Sequence, residues 1–262
     1  MTDYRAIPEQ RFEFVVNFRD LGGHTTRDGR RVALGRLLRS GHLGRASDSD
    51  LELLAAFGLR RIFDFRTTSD IEAEGADRLP DHAESVLLPV PDPAQGGGIR
   101  ELMEQNGIEH LNVIFGNGNA EKMMCEAAAG LVRERREPYS RFLKMLAEPQ
   151  AVPALFHCSA GKDRAGWAGS IALLTLGVPE DEVIEQYLLS NRAAEAIIGQ
   201  AHLGGRVLGH PSLEPLIGVR AKYIQASFDA VRDDWGDFET YLREGLEISK
   251  AERESIRKNL LE

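Results

Sequence analysis

Ala151-Val152-Pro153-Ala154-Leu155-Phe156-His157-Cys158-Ser159-Ala160-Gly161-Lys162-Asp163-Arg164 is the stretch that decides the fold. Ala151 to Phe156 is an apolar run of strand length. Pro153 has no N–H to give to a ladder, which points to a strand near a sheet edge. Beyond Arg164 an apolar helical pattern continues to Leu176 and stops at Gly177, a residue suited to a helix C-terminus. With strand and helix on either side, the loop can curl so that successive backbone N–H groups converge into an anion nest. The helix adds the positive end of its dipole. Arg164 can face back across the loop with a planar fork that suits two phosphate oxygens. Ser159 and Ala160 are small enough to let phosphate approach the backbone, and Gly161 permits a turn that a Cβ would obstruct. In such surroundings a cysteine thiol falls from ~8.5 to roughly 3.5–7.5, so Cys158 is expected to be a thiolate nucleophile. The Walker pattern is not matched, because Gly161-Lys162 is followed by Asp163 and not by serine or threonine.

Working outward, Arg60 to Arg66 reads as a buried strand ending in charge. Ser85 to Val90 and Leu34 to Arg39 read as two more. Asp48 to Phe57 has helical spacing, a cap at Ser47 or Asp48, and Gly58 at its end. Pro179 opens a helix through Leu188. Ser249-Lys250-Ala251-Glu252 is a capping-box pattern before the last helix. Strands alternating with helices predict an α/β fold with a mostly parallel central sheet. Asp92 to Gln150 departs from that rhythm. Glycine clusters at Gly96–Gly98 and Gly116–Asn119 flank a helix expected from Ala120 to about Arg135 and a shorter one from Pro138 to Leu146. The chain is read as one domain over 1–262, with a helical insertion at about 93–150. That insertion is either a mobile lid or a plain packed pair.

The chain has 262 residues, 42% hydrophobic and 28% charged, with a formal net charge of -9. Such a composition supports a large core, and an acidic chain offers no general footprint for nucleic acid. No apolar run is long enough to span a bilayer, so no stable membrane anchor is expected. The N-terminus lacks a secretory pattern, and Cys125 and Cys158 are the only cysteines. Both features favour a reducing, cytoplasmic setting. No cofactor is implied, and no His/Cys/Asp cluster has metal-ligand spacing. The oligomeric state stays open.

His157 to Arg164, continued by Gly166, resembles the active-site loop of the protein tyrosine phosphatase superfamily. More narrowly, it is similar to the bacterial tyrosine phosphatases with a Gly-Lys-Asp-Arg loop. Asn17-Phe18-Arg19-Asp20-Leu21-Gly22-Gly23 resembles that group's N-terminal motif. Leu38-Arg39-Ser40-Gly41, and Asp64-Phe65-Arg66 followed by Glu72 or Glu74, fit its next blocks. The resemblance implies hydrolysis of phosphotyrosine, with phosphoserine, phosphothreonine or phosphoinositides as further substrates. A phosphorylated protein or phosphoinositide is therefore the expected partner. A phospho-binding module of the same fold with weak catalysis is the alternative.

Carried over residue by residue, Cys158 forms a phosphocysteine and Arg164 holds the phosphoryl oxygens. Ser159, Ala160, Gly161, Lys162 and Asp163 complete the phosphate loop. No Trp-Pro-Asp segment occurs, and the resemblance implies Asp163 as the general acid instead; Asp64 and Asp92 are lesser candidates. Lys162 either adds charge at the mouth or is a solvated lysine. His157 is expected to orient the loop. Arg19, Asp20 and Arg66 are expected to form one polar network behind it. Trp167 and Cys125 are expected to be packing residues. Where the family usually has threonine or serine after the loop arginine, this chain has Ala165. A hydrogen bond to the departing thiolate is thereby lost, and slow breakdown of the phosphocysteine is expected.

Overall fold

The computed structural model describes residues 12–91, 111–194, 196 and 214–262. Among these residues one mixed sheet has five strands, in the spatial order β1-β2-β5-β3-β4. They are β1 (Arg19–Asp20), β2 (Leu37–Ser40), β3 (Arg61–Asp64), β4 (Glu84–Leu87) and β5 (Ala154–His157). Only the β1–β2 pair is antiparallel.

β5 is the central strand, which overturns its expected place near an edge. Ala154 to His157 pair with Leu37 to Ser40 on one side and with Arg61 to Asp64 on the other. Pro153 lies just before the strand, so its missing N–H costs no ladder bond. Its carbonyl still accepts from Arg60 N at 2.8 Å. Being buried on both faces, β5 needs a continuous apolar run instead of alternation.

The helices follow capping chemistry. α1 (Asp48–Ala55) starts at Ser47, whose side chain accepts from Asp50 N while the Asp50 carboxylate accepts from Ser47 N. It stops two residues short of the expected Phe57. α2 (Thr68–Glu74) starts with the same arrangement between Thr67 and Asp70. α3 (Leu111–Phe115), α4 (Asn119–Glu134) and α5 (Arg136–Leu146) fall within the stretch expected to be an insertion. α6 (Arg164–Leu176) ends at Gly177, which takes the left-handed conformation at φ +92°. α7 (Glu180–Leu188) continues into a tight turn of 3₁₀ helix, Leu189–Ala193. α8 (Glu214–Ile217), α9 (Ala221–Trp235), a short helical stretch over 238–245 and α10 (Lys250–Leu260) follow.

Two cores flank the sheet, and period-two alternation sorts residues between them. Leu37, Phe63 and Phe156 face the larger core, with Trp167, Ile171, Tyr139, Phe142, Phe228 and Tyr241. Leu38, Ile62 and Leu155 face the smaller one, with Phe18, Leu54 and Phe57. Phe142 meets Phe63 edge-on at 5.0 Å between ring centres and Phe65 at 5.5 Å. Such pairs contribute about 0.5–1.5 kcal/mol beyond area burial. Trp167 is buried between Phe228 and Tyr241, as expected of a packing residue.

The helices described between residues 111 and 150 pack against the larger core. Met124, Leu131 and Val132 of α4, and Tyr139, Phe142, Leu143 and Leu146 of α5, belong to the larger core. α4 packs along α9. Asp92 and the Gly96–Gly98 cluster lie outside the described residues.

Candidate active site

The loop from Cys158 to Asp163 leaves the end of the central strand and enters α6. Gly161 has φ +67°, and a Cβ there would lie 2.2 Å from the Ser40 carbonyl oxygen. The end of β2 thus presses directly on the loop, and only glycine fits. Several donors hold the loop from behind. His42 N donates to Ser159 O at 2.9 Å. Asn17 Nδ2 donates to Ala160 O at 3.0 Å and to Gly161 O at 2.9 Å. Arg39 Nε donates to Gly161 O and its Nη2 to Lys162 O, both at 2.9 Å. Burial pulls Arg39 down to about 10, against Cys158, Tyr187 and Asp163, so it remains charged at neutral pH.

Cys158 is buried at the base of the loop. Burial pushes its thiol up, and Asp163 adds to the rise. Arg164, the Ala165 N–H and Arg39 pull it back without reversing the sign. The depressed thiol expected from sequence is therefore not what this geometry favours, because desolvation outweighs the neighbouring positive charge. Arg164 is itself tightly paired. Its Nη1 lies 2.6 Å from Asp70 Oδ2 and 3.3 Å from Val90 O, and its Nη2 donates to Ser159 Oγ at 3.0 Å. Burial pushes Asp70 up, but the charge and hydrogen bond of Arg164, with bonds from Thr67, take it below the ordinary carboxylate value.

Asp163 sits at the N-cap of α6, with Oδ2 2.7 Å from Lys162 Nζ. Its Oδ1 is buried and accepts no hydrogen bond among the described residues. Asp64, the other described acid candidate, is occupied elsewhere. Its carboxylate accepts from Arg66 Nε, Nη2 and backbone N at 2.8–3.1 Å.

Behind the loop, His157 Nε2 is 2.9 Å from Asp77 Oδ2, and Nδ1 is 3.2 Å from the Cys158 carbonyl. Burial pulls His157 down, but Asp77 and Asp64 outweigh it and the net direction is up. Burial pushes Asp77 up, but His157, Arg66 and the Leu43 N–H bring it down to about 2. Arg66 Nη2 joins both carboxylates, at 2.9 Å to Asp64 and 2.7 Å to Asp77. Asp64, Asp77 and His157 have the spacing of metal ligands, yet the guanidinium already supplies the positive charge between the two carboxylates.

The expected single network of Arg19, Asp20 and Arg66 is thus divided. Arg66 belongs to the His157 group. Arg19 bonds Asn17 and donates to Ser190 Oγ at 2.8 Å. Asp20 accepts from Gly22 N at 2.7 Å and Gly35 N at 2.6 Å, bracing the β1–β2 connection instead of the loop. Asp70 and Asp77 went unrecognised, as did the roles of Asn17 and Arg39. For Arg39 a signal existed: a charge inside an apolar strand must find partners. For Asp77 there was none, because it reaches the loop from a connection after α2. Cys125 and Cys158 are both free.

The tyrosine phosphatase family model matches residues 10–262, so the chain belongs to that family and is a phosphoric monoester hydrolase. A Cupriavidus necator protein with a provisional tyrosine-protein phosphatase name is 33% identical over 244 residues, covering 92% of this chain and 85% of its own. The triple specificity protein phosphatase PtpB of Mycobacterium tuberculosis is 27% identical over 253 residues, covering 87% and 90%. A tyrosine-protein phosphatase of Nostoc commune is 27% identical over 238 residues, covering 85% and 73%. No helix among the described residues is long and apolar enough to cross a membrane.

Proposed function

We propose that this chain is a single-domain, cytoplasmic phosphatase of the Gly-Lys-Asp-Arg group that hydrolyses phosphotyrosine through a phosphocysteine on Cys158. The carrying observation is the loop itself: a buried cysteine and a buried arginine at its two ends, closing on the N-terminus of α6. The Cys158 thiolate attacks phosphorus while the ester oxygen departs. Arg164 and the loop N–H groups neutralise the equatorial oxygens, where charge spreads in the transition state. Asp163, protonated and parted from Lys162, gives its proton to the leaving oxygen. Water then attacks phosphorus, the P–S bond breaks, the thiolate leaves, and Asp163 takes the proton from the water.

Substrates beyond phosphotyrosine, including phosphoserine, phosphothreonine and phosphoinositides, are part of the proposal. The triple specificity in the name of the Mycobacterium tuberculosis relative supports this breadth. Ala165 favours a second reading, a phospho-binding module with weak turnover, because no hydroxyl follows Arg164 to receive the thiolate. A panel of phosphotyrosine, phosphoserine and phosphothreonine peptides and phosphoinositide vesicles separates the two. Phosphate release that disappears in Cys158→Ser supports catalysis; binding without release in the wild type supports the module.

A further inference from the structure

Three successive carbonyls of the loop, those of Ala160, Gly161 and Lys162, are engaged from outside by just two side chains. Asn17 Nδ2 takes the first two, and Arg39 takes the second and third. In a planar trans peptide the carbonyl and the following N–H point in opposite directions. Holding these carbonyls outward therefore turns the N–H groups of Gly161, Lys162 and Asp163 to the other side, into the loop. We propose that Asn17 and Arg39 form a clamp that sets the oxyanion-binding geometry of the loop, acting as positioning residues for the reaction proposed above, on which this inference rests.

Asn17 is fitted to this task. It has φ +58°, a left-handed conformation that asparagine tolerates better than most side chains. It is fully buried, and its Oδ1 accepts from Arg19 while its amide nitrogen faces the loop. The amide orientation is therefore determined: the oxygen is claimed by a guanidinium, and the nitrogen is left to donate. Arg39 is fitted in a complementary way. Its planar fork spans two adjacent carbonyls, a geometry that a single ammonium cannot reproduce. Ser190 Oγ accepts from both Arg19 and Arg39, at 2.8 and 3.3 Å, and so ties the two arms together. The Gln186 side chain, 3.4 Å from Arg39 Nη1, adds a further acceptor. No arm of the clamp needs to touch substrate. Its effect is preorganisation: the donors are in place before phosphate arrives.

The test is to compare Asn17→Ala with Asn17→Asp, reading inhibition by orthovanadate, the pH midpoint of Cys158 alkylation and the thermal midpoint. Asn17→Asp keeps the shape and the Arg19 contact, but it puts a second acceptor against two carbonyls. If Asn17 acts as a donor, the aspartate is the harsher change. The orthovanadate inhibition constant rises about tenfold or more, as expected for one buried donor lost, and the alkylation midpoint moves up. If Asn17 merely fills space, the aspartate is milder than the alanine, and the clamp is overturned. Should Asn17→Asp not fold, Arg39→Lys decides: weakened orthovanadate binding supports the clamp, and wild-type binding overturns it. Wild-type enzyme that binds orthovanadate but releases no phosphate from any substrate would count against the phosphatase reading and leave the clamp standing.

Discussion

The guanidinium of Arg164 is held by Asp70, with Nη1 to Oδ2 at 2.6 Å and both side chains buried. The loop arginine thus has Nη1 already committed to a carboxylate from α2. That carboxylate offsets part of the positive charge that would otherwise stabilise the Cys158 thiolate. Asp70→Asn is expected to lower the pH midpoint of Cys158 alkylation by iodoacetamide. The same change is expected to destabilise the fold by about 1.5–3 kcal/mol, the usual scale for a buried hydrogen bond to a charged group. A midpoint that moves up would mean that Asp70 acts only by orienting the arginine.

Ala165 is fully buried, and its backbone N–H reaches the Cys158 sulfur. A hydroxyl added at this position would lie beside the thiolate as the P–S bond breaks. We expect wild-type enzyme to show a burst of product followed by slow turnover. Ala165→Ser should raise the steady-state rate roughly ten- to a hundredfold and shrink the burst. Serine is preferred to threonine because an extra methyl would overpack a closed site. Linear product formation from the first turnover, unchanged by Ala165→Ser, would refute this.

General-acid catalysis by Asp163 should depend on the leaving group. Asp163→Asn is expected to cost about 10²–10⁴-fold in kcat on phenyl phosphate. The cost should be far smaller on p-nitrophenyl phosphate, whose leaving group departs without a proton. Equal losses on the two esters would remove Asp163 from that role.

The His157–Asp77 pair makes stability depend on pH in both directions. Asp77 falls to about 2 from an ordinary 3.8, so its contribution is complete above the ordinary value and is lost as pH drops toward 2. His157 is raised above 6.5, so its contribution is complete below 6.5 and is lost as pH climbs through the folded value. The pair therefore stabilises most between about 4 and 6.5. Thermal midpoints should decline on either side of that window. His157→Asn should flatten the alkaline decline, and an alkaline decline of wild-type steepness in that variant would contradict this account.

The local pattern around Cys158 was legible because strand, loop and helix are adjacent in the chain, and each leaves a mark. β5 reads as an apolar run, Gly161 as a turn and Gly177 as a stop. The position of β5 was misread because Pro153 was assigned to the strand, whereas the ladder begins one residue later at Ala154. The loop's supports were less legible because they are distant in sequence. Asn17 and Gly161 are 144 positions apart and Arg164 and Asp70 are 94 apart. Nothing local says that a capping carboxylate such as Asp70 will also receive an arginine from another element. The sign of the Cys158 shift was missed for a related reason. Charges in the loop can be read from residue names, but complete burial of the sulfur cannot.

The central claim is that Cys158 carries the phosphoryl group. Enzyme mixed with excess phosphotyrosine peptide, quenched in acid during the burst and digested, should give a phosphorylated peptide containing Cys158. That peptide should be absent in Cys158→Ser. Phosphate release that persists in Cys158→Ser, or a phosphoryl group found on another residue, would contradict the account.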